Sequence, residues 1–227
     1  MFDVITLATS KGGAGKSTLA RSLAAHWLTV GQKPALIDAD PQRTLANRHD
    51  PVGKLGAVML VAEPEERVAQ TIEELRGSRR PIIVDTAGFR NRTTISALVA
   101  STLAVIPLKP SAEDVDAAIA TYELIGEINE TPERVGDPIR VAMILTMAMP
   151  NTVISRHVRA QLEGEGLPLL KAEMTNRVAY PESGIDGLSP IVTDPDGAAA
   201  RDIAAIAREL AKFEVSNLRN IETRVPA

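Results

Sequence analysis

Near its amino end the chain carries a loop whose residues could bind phosphate. Residues 9–18 read TSKGGAGKST and follow the apolar run DVITLA. Glycines permit a tight turn that aims successive backbone N–H groups at phosphate oxygens, and a helix beginning there would add its positive N-terminus. Lys16 would reach the terminal phosphates of a nucleotide, and the Ser17 hydroxyl would ligate Mg²⁺. The predicted nucleotide-binding residues are Gly12, Gly13, Ala14, Gly15, Lys16, Ser17 and Thr18.

A second lysine stands at the front of the same loop. The common phosphate-loop pattern, G-x-x-x-x-G-K-[ST], would place glycine at position 10, where this chain has Ser10 followed by Lys11. A further positive charge would stabilise the negative charge that develops on a transferred phosphoryl group. The alternative is that Lys11 is only solvated at the mouth of the loop.

Strands and helices alternate along the chain and would position this loop. Apolar runs predict strands at 3–9, 34–39, 57–62, 81–86, 102–107 and 139–146, with a shorter seventh at 167–171. Helical patterns fall at 16–30, 64–77, 112–129, 152–165 and 197–213. Ser111 is the expected N-cap of the helix 112–129, with Asp114 at its third position. Continuous apolar strands favour an α/β fold with a mostly parallel, doubly wound sheet and helices on both faces.

Composition narrows the class of protein. The 227 residues are enough for one sizeable domain, expected at 1–213 with a C-terminal tail at 214–227. The absence of cysteine excludes disulfides, thiolate metal sites and Fe–S clusters. No signal peptide and no run of about 18 apolar residues is present, so a cytoplasmic protein without membrane contact is expected. Because the net charge is −4, binding to nucleic acid would require a local basic patch.

Several segments together resemble the ParA/MinD family of deviant Walker A ATPases. KGGAGKST is similar to the family's K-G-G-x-G-K-[ST], LIDADPQRT (36–44) to its Walker A′ segment D-x-D-P-Q, and IIVDTAG (82–88) to its Walker B segment. The resemblance extends from residue 3 to about 213, through VIPLKPSAEDVDA (105–117) and the stretch 187–213. It is greatest to the short partition ATPases that lack an N-terminal helix-turn-helix domain. It implies a P-loop NTPase fold.

The resemblance implies a role for each matched residue. Lys11 would reach across a dimer interface to the partner's phosphates, and Asp40 would orient or activate the attacking water; with Lys16 they form the expected catalytic set. The expected Mg²⁺ site is made of Ser17, Asp38 and Asp85. Thr86 to Gly88 would form a switch loop that senses the γ-phosphate. Carboxylates at strand ends can also serve only as helix caps or turn formers.

The resemblance says less about the nucleotide base. Many relatives have an asparagine that helps to hold adenine at the position of Thr146, so the resemblance does not imply that contact here. Asp194 and Pro195 would line the base instead. ATP is favoured over GTP, because no N/T-K-x-D guanine signature is present.

The expected function is that of an ATP-dependent switch. Copies that bind Mg·ATP would form a homodimer, hold DNA without sequence preference, and let go after slow hydrolysis stimulated by a ParB-like or cargo-adaptor protein. The protein would be nucleoid-associated and would position a plasmid, a chromosome or a protein cargo. Predicted DNA contacts are Arg156, Arg159, Arg177, Arg201, Arg208 and Lys212, although a solvated helix face would look the same in sequence.

Other functions of the same scaffold remain open. One is an accessory ATPase of conjugative DNA transfer, and another is a dethiobiotin-synthetase-like ligase that phosphorylates a small carboxylate. Missing cysteines argue against a nitrogenase iron protein. The narrow apolar stripe Val215, Leu218 and Ile221 in the tail has no aromatic anchor and predicts slight membrane affinity.

Overall fold

Seven parallel strands form one sheet at the centre of the computed structural model, which describes residues 3–63, 67–88 and 91–222, with side chains as far as Lys212. The strands are β1 (Val4–Leu7), β2 (Ala35–Ala39), β3 (Met59–Ala62), β4 (Ile82–Thr86), β5 (Leu103–Leu108), β6 (Arg140–Ala148) and β7 (Met174–Thr175). Their spatial order is β3-β2-β4-β1-β5-β6-β7, and every pairing is parallel. The first strand of the chain therefore lies in the middle of the sheet.

Eight α-helices cover the sheet in the described part of the chain. They are α1 (Lys16–Thr29), α2 (Val68–Leu75), α3 (Arg92–Val99), α4 (Ala112–Asn129), α5 (Val153–Gly164), α6 (Ala179–Ile185), α7 (Pro190–Thr193) and α8 (Ala198–Glu222). A short 3-10 turn spans Ala46–Arg48. None of these helices is long and apolar enough to cross a membrane within the residues that the structure describes.

Helices pack on both faces of the sheet. On one face, Leu23 of α1 and Ile206 of α8 join Ile5 and Ile83 of the strands in one apolar cluster. On the other face, α2 to α5 bury their apolar sides in two further clusters. Every residue of β1, β2, β4 and β5 is buried, which explains why these strands read as continuous apolar runs. The predicted fold, a doubly wound parallel sheet in a single α/β domain, is confirmed.

The predicted seventh strand, at 167–171, is wrong. Leu169 makes only an isolated parallel bridge to Met143, and the strand that pairs with β6 is β7. This pairing does not continue beyond residue 170 because a carboxylate from α8 intervenes: Glu209 accepts hydrogen bonds from the backbone N–H groups of Lys171 (2.8 Å) and Ala172 (2.7 Å). Those groups are thereby withdrawn from any strand ladder, and pairing resumes only at residue 174.

Three helices were not predicted. Asn91 caps α3 by accepting a hydrogen bond from the Thr94 N–H at 2.6 Å, and Ser189 followed by Pro190 begins α7. The third, α6, has no side-chain cap. The helix predicted at 197–213 continues to residue 222, but the side chains of the tail's apolar stripe and the residues from 223 onward lie outside the described part. The boundary at residue 213 stays a prediction.

Candidate nucleotide-binding site

The phosphate loop and the two strand-end carboxylates meet at one edge of the sheet. In the strand register, Leu7 at the end of β1 lies opposite Asp85 of β4, which lies opposite Asp38 of β2. Side chains alternate between the two faces along each strand, and the residue two positions before each carboxylate packs on the face that α1 covers. Both carboxylates therefore lie on that face as well. The sequence stretches 9–18, 36–44 and 82–88 are thereby brought together, as predicted.

The loop is shaped to receive an anion. Gly13 and Gly15 have φ angles of +72° and +84°, a left-handed conformation that other residues rarely adopt. Gly15 precedes the first helical residue, Lys16, and no side chain caps this helix end or places an acid in its first turn. The first-turn N–H groups and the positive end of the helix dipole are therefore free to bind phosphate oxygens.

Thr146 supports the loop from below. Its buried hydroxyl donates a hydrogen bond to the carbonyl of Ala14 at 2.9 Å. Its side chain also lies beside Gly15. A Cβ atom added to this glycine would be in ordinary van der Waals contact with the Thr146 side chain. Sequence reasoning considered Thr146 only as a missing contact to adenine and did not find this role.

Asp85 is a buried carboxylate with little hydrogen bonding. Its side chain is 0% exposed, neither carboxylate oxygen accepts a hydrogen bond of ordinary geometry, and the Ser17 hydroxyl acts on it only as a weak donor. Burial raises the pKa of Asp85 to about 7, and the charge of Asp38 adds to this rise, while the neighbouring Ser17 hydroxyl and Lys16 ammonium oppose it. Such an orphaned acceptor fits a cation that arrives with the nucleotide.

Lys16 provides the matching buried cation. Its side chain is 7% exposed, and Nζ donates to the carbonyl of Lys11 at 3.4 Å across the loop. Burial lowers the pKa of Lys16, whereas Asp85 and Asp40 raise it. A phosphate beside this ammonium would favour its charged form.

Asp38 and Asp40 differ in their surroundings. The carboxylate of Asp38 accepts three backbone N–H groups, from Asp40 (3.3 Å), Leu45 (2.9 Å) and Ala46 (2.8 Å). Burial raises its pKa and these hydrogen bonds lower it. Asp40 is half-buried and accepts the Gln42 N–H at 2.8 Å. Asp38 thus folds the loop that carries Asp40, and its predicted place in a Mg²⁺ site stays a prediction.

No group of three or more acidic or histidine side chains that could hold a metal by itself exists within the described ranges. Mg²⁺ needs no such group, because it is commonly bound by one or two protein ligands together with substrate phosphates. Ser17 and Asp85 have the right chemistry for that arrangement.

The residues predicted to line the nucleotide base lie on the surface of the protein. Asp194 and Pro195 are exposed, in the turn between α7 and α8. Ser189 at the start of α7 donates to Ser22 of α1 at 3.1 Å, which fixes this region against the helix that follows the phosphate loop.

Thr86 of the predicted switch loop is buried and donates to the Leu7 carbonyl at 2.9 Å. Its role, like those of Asp194 and Pro195, stays a prediction.

The six predicted DNA contacts do not share one environment. Arg159 lies 3.0 Å from the carboxylate of Glu173, and Arg177 lies 2.8 Å from that of Asp202. Arg156, Arg201 and Arg208 each donate to a nearby backbone carbonyl, that of Asn151, Asp196 and Ala204. The two arginines paired with carboxylates are the least able to bind phosphate, because their charge is already compensated within the subunit.

Two of the six, Arg208 and Lys212, line an open groove between α8 and the segment before β7. This α8 groove has a volume of about 590 Å³ and is lined by Lys171, Ala172, Ala205, Arg208, Glu209 and Lys212. Its acid, Glu209, is already bound to two backbone N–H groups. Sequence reasoning missed Lys171, because only the path of the chain before β7 brings it beside α8.

Comparison with known proteins identifies the family. The model of the CobQ/CobB/MinD/ParA nucleotide-binding domain matches residues 5–191. The chain belongs to this family. Its members include protein ParA from Rhizobium radiobacter, which is 30% identical over 186 residues, covering 79% of this chain and 81% of that protein.

One further comparison by sequence and one by structure give similar proteins. The maintenance of carboxysome distribution protein A of Halothiobacillus neapolitanus is 24% identical over 201 residues, covering 87% of this chain and 91% of that protein. The septum site-determining protein MinD from Pyrococcus horikoshii, solved with Mg-ADP, superimposes with a TM-score of 0.74 at 16% identity, covering 99% of this chain and 100% of that one. The latter likeness shows the shared fold.

Replacing Asp85 by asparagine should stabilise the nucleotide-free protein at high pH. The folded-state pKa, about 7, lies above 3.8, the ordinary value of an aspartate in an unfolded chain. The stability that protonated Asp85 contributes is therefore present below the unfolded pKa and lost as pH rises through 7. At pH 8 the melting temperature of Asp85→Asn should therefore exceed that of wild type by about 3 °C or more. The difference should shrink as pH falls from about 7 towards 4.

Thermal melts with and without Mg·ATP test this expectation. Wild type should gain stability from Mg·ATP at pH 8, whereas Asp85→Asn should gain little, because it lacks the metal-binding carboxylate. Asp116→Asn, the same change at an exposed site of α4, serves as the control. A nucleotide-free Asp85→Asn protein that melts below wild type at pH 8 would contradict the assignment.

Replacing Thr146 by valine should weaken both the fold and nucleotide binding. Valine has nearly the same shape but cannot donate to the Ala14 carbonyl, so we expect a loss of about 1–2 kcal/mol in the free energy of unfolding. ATP affinity, measured by calorimetry, should fall several-fold because the loop loses an anchor. Thr146→Ser retains the hydroxyl and should bind ATP almost as wild type does; equal losses in both variants would show that packing, and not the hydrogen bond, matters.

Proposed function

We propose that the protein is an Mg²⁺-dependent ATPase that works as a dimerising switch and positions a DNA or protein cargo. The observation that carries this proposal is the buried Asp85, whose carboxylate oxygens accept no hydrogen bond of ordinary geometry, beside Lys16 at an uncapped helix N-terminus. A site with one orphaned anion, one buried cation and free N–H donors suits Mg²⁺ and a polyphosphate together.

The residues divide the chemistry among them. Lys16 and the first-turn N–H groups of α1 bind the phosphates, and Ser17 and Asp85 hold Mg²⁺. Asp40, which the three hydrogen bonds to Asp38 keep at this edge of the sheet, orients the attacking water. Bound Mg²⁺ neutralises phosphate charge during transfer.

Lys11 adds the dimerising step. It stands at the mouth of the loop, is 38% exposed, and has its backbone carbonyl bound to Lys16. From there the side chain can extend towards a second copy, where it would bind the phosphates of that copy's nucleotide. Dimer formation then depends on bound ATP, and hydrolysis, which a partner protein stimulates, ends it.

The relatives support a positioning role. One is named as a ParA protein and two are named for the maintenance of carboxysome distribution. By analogy, the ATP-bound dimer of this protein would hold DNA without sequence preference and distribute a plasmid, chromosome or protein body. An accessory role in conjugative transfer uses the same switch with another cargo, whereas a small-molecule ligase would turn over a substrate without needing Lys11.

Sedimentation of wild type and Lys11→Ala with ATP, ADP and a slowly hydrolysed ATP analogue tests the switch. Wild type should form dimers with ATP or the analogue and stay monomeric with ADP. Lys11→Ala should bind ATP but stay monomeric, because the cation that reaches the partner is missing. A wild type that is monomeric with every nucleotide, or a Lys11→Ala variant that dimerises normally, would refute the proposal.

DNA retention tests the α8 groove. With Arg208→Glu and Lys212→Glu combined, random-sequence DNA should bind more than about tenfold more weakly, because two phosphate contacts become repulsive. The slope of log affinity against log salt should shrink by about 1.8, at about 0.9 for each lost contact. Lys33→Glu combined with Lys54→Glu makes the same charge change at exposed sites outside the groove and should have little effect. Equal losses in both pairs would point to net charge alone.

A further inference from the structure

The two residues at the front of the phosphate loop, Ser10 in place of the usual glycine and Lys11 after it, both contact helix α4. Ser10 donates from its hydroxyl to the carbonyl of Ala117 at 3.4 Å, and Nζ of Lys11 lies 3.9 Å from a carboxylate oxygen of Asp114. Asp114 and Ala117 are about one turn apart near the start of α4. The front of the loop is thus held by α4, while the rear of the loop leads into α1.

Asp114 is buried and has two cationic neighbours. Its side chain is 2% exposed; one carboxylate oxygen accepts the Lys109 backbone N–H (3.3 Å), and the other accepts the Ser111 hydroxyl (2.8 Å). The Nζ atoms of Lys11 and Lys109 each lie 3.9 Å from the second oxygen. Two ammonium groups therefore share one carboxylate.

This sharing makes Lys11 removable. A buried carboxylate left without any cation or hydrogen bond would be costly. If Lys11 moves away, Asp114 retains Lys109, the Lys109 N–H and the Ser111 hydroxyl. Lys11 is also 38% exposed, so no packed side chain must move to release it.

We propose that Asp114 is a positioning residue for Lys11: it holds the ammonium on its own subunit until the phosphates of a second, ATP-loaded copy replace it. This inference rests on the proposed function, because it requires Lys11 to act on the nucleotide of a partner. Dimerisation then exchanges one ion pair for another. ATP carries more negative charge than ADP and draws Lys11 from Asp114 more effectively, so the exchange helps the switch to distinguish the two nucleotides.

Variants of Asp114 and Lys109 should act in opposite directions. Asp114→Asn keeps the side-chain shape but removes the charge, so the ATP concentration for half-maximal dimerisation should fall about two- to fivefold, the range for a partly exposed ion pair. Lys109→Gln leaves Lys11 as the nearest ammonium to Asp114 and should raise that concentration by a similar factor. The double variant should resemble Asp114→Asn, because Lys109 competes with Lys11 for the Asp114 carboxylate and that competition ends when the carboxylate is removed.

Sedimentation of the full chain, titrated with the slowly hydrolysed ATP analogue, measures these shifts. Asp116→Asn, an exposed carboxylate on the same helix, is the matched control and should behave as wild type. Thermal melts establish that each variant is folded. A merely structural effect of the substitutions would impair dimerisation in every variant and could not produce shifts of opposite sign.

The outcomes separate this inference from the proposed function. If wild type never dimerises with ATP, both are overturned. If wild type dimerises but Asp114→Asn matches it or needs more nucleotide, only the role of Asp114 is overturned. The role of Asp114 is also overturned if adding Lys109→Gln to the Asp114→Asn variant raises the nucleotide concentration for half-maximal dimerisation as much as it does in wild type.

Discussion

A carboxylate and an ammonium buried side by side at the end of the sheet are the interaction on which this site depends. Burial shifts the pKa of Asp85 upwards and that of Lys16 downwards, so the environment disfavours the charged form of each, and their proximity only partly offsets this. A divalent cation at one and a phosphate at the other would reverse both effects. The fold therefore maintains an unfavourable arrangement that ligand binding would relieve, and binding would stabilise the protein.

Register neighbours in the sheet show how the same residue type serves two purposes. Asp38 and Asp85 lie opposite each other on adjacent strands, on the same face. Three backbone N–H groups surround the carboxylate of Asp38, whereas that of Asp85 has none. The difference comes from the chain that follows each strand: residues 40–46 fold back over Asp38. One carboxylate organises a loop, and the other stays available.

Local patterns predicted the parts of the structure that local forces decide. The continuous apolar strands, the glycine loop before α1 and the Ser111 cap of α4 all follow from neighbouring residues, and all were found where expected. Long-range contacts decided the rest. The seventh strand was displaced by Glu209, and Arg177 was taken up by Asp202, both from α8.

The loop's supports belong to the same long-range class. Thr146 reaches the loop from β6, and Asp114 holds Lys11 from α4. Neither contact has a signature in the loop itself, because each depends on the order of the strands in the sheet. A motif thus identified the chemistry of the site but could not reveal what holds it in shape.

The central place of β1 has a consequence for how the protein is made. This strand is synthesised before the other six strands of the sheet, yet its two neighbours, β4 and β5, are synthesised much later. Until then its apolar residues have no strand to pair with, and the nascent chain exposes them to solvent and to other chains. The support of the phosphate loop is likewise completed late, because the threonine beneath it lies on the sixth strand. This strand order therefore leaves β1 without either sheet neighbour while much of the chain is still being made.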